Sequence, residues 1–231
     1  MNDTNVKKKI VVAIDGPAAS GKSTTARLVA KKLGYLYIDS GAMYRAVTLL
    51  ALRKNIPTTD FDKVAQLAES AVIQFKMEGG ELRTFLNGED VSQEIRSPEV
   101  TKEISPVAAN PRVREILVAK QREMGKEGGI VMDGRDITTV VFPDAELKIF
   151  MKASAEERAR RRVKELAERG IQADFDQVLK EIIRRDEADS TRAHGPLTQA
   201  PDAVVIDTTN LSIEEQVERI YKLALEKVQD C

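Results

Sequence analysis

The sequence of 231 residues contains one cysteine, one histidine and no tryptophan, and only 4% of its residues are aromatic. The single cysteine, Cys231, cannot form an intrachain disulfide, and with one histidine, His194, the chain cannot build a thiolate or imidazole metal cluster. So few aromatic side chains disfavour a stacking platform for single-stranded nucleic acid. Charged and hydroxyl side chains therefore remain as the candidate functional groups.

The chain also lacks an excess charge and a long apolar run. Its 36 Lys and Arg nearly balance its 37 Asp and Glu, so the overall field favours no polyanionic partner. The apolar run that follows Lys7, Lys8 and Lys9 ends at Asp15, too soon for a signal-peptide core or a membrane span. We expect a cytoplasmic protein with neither a nucleic acid nor a membrane as its partner.

Residues 16–23 read G-P-A-A-S-G-K-S, the G-x-x-x-x-G-K-S pattern of a phosphate-binding loop. An apolar run at 10–14 predicts a buried strand before it, and a helix is predicted over 22–33. Glycines let successive backbone N–H groups converge on phosphate oxygens, and the helix N-terminus adds its positive dipole end. Lys22 is expected to reach the β- and γ-phosphates, and Ser23 to bind magnesium. The alternative is a glycine-rich turn that binds nothing.

Apolar runs alternate with helical patterns along most of the chain, which indicates a parallel sheet between helices. The predicted strands are 10–14, 35–39, 130–133, 146–151 and 203–207. The fold class is α/β: a P-loop NTPase three-layer fold with a five-stranded parallel sheet flanked by helices. Two runs at 72–77 and 81–87, joined through Gly79 and Gly80, predict an antiparallel hairpin.

The hairpin predicts a subdomain inserted into a single domain of residues 1–231. We expect the insert at about 62–106, with the pairs Ser97-Pro98 and Ser105-Pro106 marking its exit. A helical lid is expected at about 154–174. The core then comprises residues 8–61, 107–153 and 175–231.

Arginines cluster in two later helices. The first group is Arg158, Arg160, Arg161 and Arg162, and the second is Arg184, Arg185 and Arg192. Taken alone, such runs are usually solvated helix faces. Beside a phosphate-binding loop they can instead neutralise the charge of a transferred phosphoryl group while a mobile lid excludes water.

Asp133 ends a predicted buried strand and is followed by Gly134, Arg135 and Asp136. A carboxylate at that position can orient a hydrated magnesium ion, and ligands of open α/β sheets collect at this edge. The alternative is a turn residue that ends the strand.

Several strings of this sequence together resemble bacterial cytidylate kinases. They are the loop at 16–23, D-S-G-A-M-Y-R at 39–45, D-G-R-D at 133–136 with T-V-V-F-P-D-A at 139–145, and the stretch from Arg185-Asp186 to Arg192. The resemblance runs nearly end to end. It implies transfer of the ATP γ-phosphate to CMP or dCMP, and it implies that the insert is a nucleoside-monophosphate-binding region.

The resemblance also implies a role for each matching residue. At the acceptor it implies Arg45, Arg135 and Arg192, with Ser40 beside them, for the phosphate, Arg185 and Asp189 for the ribose, and Ser105, Arg114 and Asp136 for the base edge. For ATP it implies Gly16, Pro17, Ala18, Ala19, Ser20, Gly21, Lys22, Ser23 and Thr24. Catalysis is expected from Lys22, Arg135, Arg158, Arg162 and Arg192, and Mg²⁺ binding from Ser23 and Asp133. The expected species is a monomer.

Base chemistry supports the assignment at the base edge independently. Cytosine presents an N4 amino donor beside acceptors at N3 and O2, so a carboxylate can accept from N4 and an arginine can donate to N3 or O2. Uracil inverts two of these positions. Other acceptors stay open, namely another nucleoside monophosphate such as UMP or a hydroxyl as in shikimate-type kinases. A nucleotide-dependent switch is a third hypothesis, although no N-K-x-D guanine motif is present.

Overall fold

The computed structural model describes residues 9–79, 81–168 and 170–229. Lys7, Lys8, Gly80 and Cys231, on which expectations were placed, lie outside these ranges. The strands are β1 Val11–Asp15, β2 Leu36–Asp39, β3 Ile73–Glu78, β4 Glu81–Leu86, β5 Glu89–Asp90, β6 Ile130–Gly134, β7 Leu147–Lys152 and β8 Val204–Asp207. The α-helices are α1 Lys22–Leu33, α2 Ser40–Arg53, α3 Phe61–Ser70, α4 Pro98–Ala109, α5 Pro111–Met124, α6 Ala155–Glu168, α7 Phe175–Thr191 and α8 Ile213–Gln229.

The predicted parallel sheet is confirmed. Its strand order is β2-β6-β1-β7-β8, and β1 pairs in parallel with both β6 and β7. Strand β1 is central and buried because its run of apolar side chains faces neighbours on both sides. Helices α1 and α8 pack on each other and on strands of the sheet. Strand β1 ends at Asp15, and its carboxyl end leads directly into the loop at 16–23.

The chain divides into two compact units, described separately below. The first comprises the described residues up to Tyr37 and from Glu127 onward, and the second is Ile38–Lys126. The second unit is a single stretch of chain, and the expected insert at 62–106 lies within it. Among the described residues, no helix combines the length and the apolar character that a membrane span requires.

The second unit packs helices α2 to α5 around one apolar core and carries a small sheet of order β3-β4-β5. The antiparallel β3–β4 hairpin matches the prediction. Of the two expected break points, Ser97-Pro98 lies at the start of α4, but Ser105-Pro106 lies inside that helix rather than in irregular chain. Pro98 takes the first helical turn, where no backbone N–H is needed. Ser97 caps that turn by accepting from the Val100 N–H.

Helices α6 and α7 of the first unit pack against each other through Ala159, Val178 and Ile182. A side chain caps the start of each helix. The Ser154 hydroxyl accepts from the Glu157 N–H, and the Asp174 carboxylate accepts from the Gln177 N–H. These caps satisfy N–H groups that the helix itself leaves open. The two arginine groups of the sequence are thus carried by a packed helical pair.

Candidate active site

The loop between β1 and α1 leaves no room for a side chain at its first glycine. A Cβ at Gly16 would lie 2.2 Å from the backbone oxygen of Met151. Gly21, which caps α1, has a φ of 93°, in the left-handed region that favours glycine. The two glycines of the motif therefore serve the fold of the loop, as the sequence predicts.

Two polar side chains of the loop are enclosed. Lys22 is buried and its Nζ donates to the carbonyl oxygen of Pro17 at 3.1 Å. The Ser20 hydroxyl is fully buried and has no hydrogen-bond partner within the described parts of the chain. A buried hydroxyl without a partner is costly unless a ligand or water completes it. The loop is thus polar inside and fits a phosphate group.

Ser23 and Asp133, the residues predicted to bind magnesium, lie next to each other. The Ser23 hydroxyl donates to Oδ2 of Asp133 at 2.8 Å, and the Tyr37 hydroxyl donates to Oδ1 at 2.7 Å. Hydroxyl and carboxylate oxygens are the hard ligands that Mg²⁺ prefers, with phosphates and waters completing the octahedron. The described residues contain no group of three or more acidic, histidine or cysteine ligands. The pair fits a magnesium ion held jointly with a nucleotide.

Asp15, the last residue of β1, is a fully buried carboxylate that the sequence did not single out. It accepts hydrogen bonds from the backbone N–H groups of Ile137 and Thr138 and from the Thr138 hydroxyl, at 2.7–2.9 Å. Burial raises the pKa of Asp15 to about 6, against the lowering effect of these hydrogen bonds, and the charge of Asp136 adds to the rise.

We expect this shift to be measurable as a pH dependence of stability. Because its folded pKa lies above the ordinary 3.8, Asp15 contributes stability at low pH that is lost as the pH rises through about 6. The unfolding free energy, relative to that of Asp15→Asn, should fall by about 1 kcal/mol between about pH 5 and about pH 7.5. Urea unfolding of both proteins checks it, and parallel pH profiles would contradict it.

Three predicted acceptor arginines of the first unit surround Asp189 on α7. Nε of Arg135 donates to the Asp189 carboxylate at 2.7 Å, and Arg185 and Arg192 lie 4.0 and 3.9 Å from it. Burial would raise the pKa of Asp189, but Arg135, followed by Arg185 and Arg192, lowers it below its ordinary value. Arg192 also lies 3.7 Å from Asp136. Three guanidinium groups facing two carboxylates leave a net positive charge, which suits an anionic ligand.

Arg158 of α6 links the loop to α7. Its guanidinium is buried, donates to the Ala18 carbonyl at 3.3 Å, and forms a two-pronged ion pair with Asp186 at 2.6 and 3.0 Å. Arg161 also reaches the loop, donating to the Ser20 carbonyl at 3.4 Å. Arg162 forms an ion pair with Glu165 of its own helix at 2.8 Å. Of the predicted lid pair, Arg158 is thus the one with a described contact to the loop.

Three of the four predicted acceptor residues of the second unit lie on α4 or bond to it. Arg45 of α2 donates to the Thr101 hydroxyl at 2.9 Å, and Arg114 of α5 donates to the Ala108 carbonyl at 3.3 Å. Ser105 is exposed on α4 itself. The fourth residue, Ser40, is buried at the first position of α2. Helix α4, which the sequence did not predict, therefore connects Arg45, Ser105 and Arg114.

Three residues with contacts at the site were missed at the level of sequence: Asp15, Arg161 and Asp186. Arg161 and Asp186 stand within the arginine-rich segments, but no local pattern shows that the first contacts the loop and the second pairs with Arg158. Asp15 ends an apolar strand just as Asp133 does. The same signal, a carboxylate closing a buried strand, could have found it.

The chain is similar to known proteins over nearly its whole length. The cytidylate kinase family model matches residues 12–226. A cytidylate kinase from Listeria welshimeri is 54% identical over 96% of this chain and 99% of its own length, and one from a Geobacillus species is 53% identical over 96% and 100%. A solved shikimate kinase from Bacteroides thetaiotaomicron shares 16% identity at a TM-score of 0.48, covering 94% of this chain and 98% of its own.

Proposed function

The chain belongs to the cytidylate kinase family, and we propose that it transfers the γ-phosphoryl group of ATP to CMP or dCMP. The products are ADP and CDP or dCDP. The balanced charge, the single cysteine and a site assigned within one chain favour a cytoplasmic monomer whose ligands are nucleotides rather than nucleic acid or membrane.

The observation that carries the proposal is a set of contacts that runs from the phosphate loop, through α6 and α7, to the arginines around Asp189. Arg158 contacts Ala18 in the loop and pairs with Asp186 of α7. Asp189, one turn further along α7, holds Arg135 and faces Arg192. A donor phosphate on the loop and an acceptor phosphate on these arginines would thus be bound by groups that are connected through α7. This arrangement suits transfer between two nucleotides.

On the donor side, the loop at 16–24 would hold the ATP phosphates. Lys22 supplies a buried positive charge there, and the enclosed Ser20 hydroxyl supplies a hydrogen bond. Ser23 and Asp133 would hold Mg²⁺. When bound, that ion supplies charge neutralisation between the β- and γ-phosphates.

On the acceptor side, Arg135 and Arg192 would bind the CMP phosphate, while Arg185 and Asp189 would bind the ribose. Asp136 would accept a hydrogen bond from the cytosine N4 amino group. Within the second unit, we propose Ser40 and Arg45 as phosphate-binding residues and Ser105 and Arg114 as base-binding residues.

No side chain has to act as a strong base in this reaction. The acceptor phosphate is already a nucleophile, so catalysis consists of positioning and of neutralising the charge that develops on the transferred group. The guanidinium groups of Arg158 and Arg162 would supply part of that neutralisation.

A panel of acceptors assayed with ATP tests the proposal. We expect rapid ADP release with CMP and dCMP, weak release with UMP, and none above background with shikimate. ADP release that needs no acceptor, or that UMP or shikimate supports better than CMP, would refute the proposed substrate. Nucleotide binding without turnover would favour the switch hypothesis.

Asp136→Asn is expected to weaken the preference for CMP over UMP. The amide can present a donor or an acceptor, so the ratio of kcat/KM for CMP to kcat/KM for UMP should fall by about tenfold or more. The corresponding difference in transition-state free energy is a few kcal/mol at most. The KM for ATP should change by less than about twofold, since the donor site is assigned to other residues. Unchanged selectivity in steady-state kinetics would contradict the base-edge assignment.

A further inference from the structure

Both carboxylate oxygens of Asp15 accept hydrogen bonds from the two residues that follow Asp136. One oxygen accepts from the Ile137 N–H at 2.9 Å, and the other accepts from the N–H and hydroxyl of Thr138, both at 2.7 Å. Asp15 and Thr138 are both shielded from solvent. Two N–H groups and a hydroxyl converge here, and an ionised carboxylate can accept from all three.

The segment that Asp15 holds is a single π-helical turn, Ile137–Val141. The Asp136 carbonyl accepts from the N–H groups of Val140 and Val141, and the Ile137 carbonyl accepts from the Phe142 N–H at 2.7 Å. Isolated π-turns are uncommon and occur often at functional sites. Asp15 binds the open N-terminal end of this turn, whose N–H groups have no partner inside it.

Asp136 stands between this turn and β6, which ends at Gly134. Its side chain is buried and lies 3.7 Å from Arg192. The position of the Asp136 carboxylate is therefore set on one side by the sheet and on the other by a turn whose first two residues are bound to Asp15.

Burial of Asp15 is unfavourable for the charged carboxylate, as its raised pKa shows. A neutral apolar residue at the end of β1 would avoid that cost but would leave three buried donors without an acceptor. The carboxylate is therefore explained by the three donors of the turn and not by the packing of β1.

We propose that Asp15 is a positioning residue for the choice of acceptor base. By fixing the turn that begins at Ile137, it holds the Asp136 carboxylate where a cytosine amino group can donate to it. This inference rests on the proposed function, because it needs the role of Asp136 at the cytosine. Asp15 also precedes Gly16 directly, so one residue joins the first loop position of the donor site to the base-selecting side of the acceptor site.

The test is a double-mutant cycle of Asp15→Asn and Asp136→Asn, with kcat and KM measured for CMP, UMP and ATP. An asparagine of the same size has one oxygen and directs an amide N–H towards groups that are themselves donors. We expect Asp15→Asn to lower the CMP-to-UMP ratio of kcat/KM by about tenfold and to change the KM for ATP by less than about twofold. In the Asp136→Asn background the same substitution should leave the ratio unchanged.

A merely structural role for Asp15 gives a different pattern. Equal losses for CMP and ATP, an unchanged CMP-to-UMP ratio, or a loss of the ratio that adds fully to that of Asp136→Asn would each overturn the inference. Asp176→Asn is the matched control, because Asp176 is exposed on α7 and loses the same charge.

Thr138→Val provides a second route if Asp15→Asn does not fold. It removes one of the three donors to Asp15 and keeps the carboxylate, so we expect the same loss of selectivity at about threefold. No change in selectivity for a folded Thr138→Val protein would also overturn the inference. A parent protein that does not phosphorylate CMP would instead refute the proposed function, so the two failures are distinguishable.

Discussion

Lys22→Ala is expected to reduce turnover by about three orders of magnitude while the protein stays folded. Lys22 is the buried cation of the phosphate loop, and its Nζ is held at the Pro17 carbonyl within that loop. We expect its charge to stabilise the developing negative charge on the β- and γ-phosphates, a contribution that water cannot replace in an enclosed site. The measurement is kcat with saturating ATP and CMP.

Lys31→Ala is the control for this prediction. Lys31 is exposed on the same helix, α1, and its loss removes the same charge outside the loop. Its kcat should stay within about twofold of the parent value, as is usual for a surface change. Normal turnover of the Lys22→Ala protein would show that the loop takes no part in the mechanism.

Arg158→Ala is expected to lower kcat by about a thousandfold, the lower end of the effect of an arginine that stabilises phosphoryl transfer. Arg158 is the buried arginine whose guanidinium contacts the loop at Ala18. Its removal also leaves Asp186 without its two-pronged partner. Stability should therefore fall as well, by a few kcal/mol at most for a partly exposed carboxylate.

Asp186→Ala separates the catalytic effect from the structural one. It breaks the same ion pair but keeps the guanidinium, so its kcat should fall far less than that of Arg158→Ala. Arg160→Ala, at an exposed position of the same helix, should leave kcat unchanged within about twofold. Equal losses of kcat for Arg158→Ala and Asp186→Ala would show that Arg158 serves only the packing of α6 on α7.

The sequence could predict those elements whose cause is local. The loop at 16–23 forms because its glycines accept unusual backbone geometry, and α5 begins at Pro111 because Asn110 caps its N–H groups. The strands of the parallel sheet follow from short apolar runs, which are buried in β1 and β6 and largely exposed in the edge strand β8. Ser23 and Asp133 could be paired because both lie at the edge where β1 and β6 end.

The features that the sequence did not reveal depend on partners far along the chain. Asp15 bonds to residues more than a hundred positions away, and Asp186 pairs with Arg158 from a different helix. The sequence groups Arg161 and Arg162 with Arg158 in one helix, but it could not show that Arg161 contacts the loop and that Arg162 pairs with Glu165. The pair Ser105-Pro106 predicted a break in the chain, but Pro106 lies inside α4.

The path of the chain through its two units has a consequence for how such a protein can vary. The chain leaves the first unit after Tyr37 and returns at Glu127, so the second unit has only two covalent joints to the rest. Lengthening or shortening the hairpin of β3 and β4 changes the loop after Glu78 without shifting the register of β1, β6 or β7. The hairpin can therefore change in length independently of the strands that carry the phosphate loop.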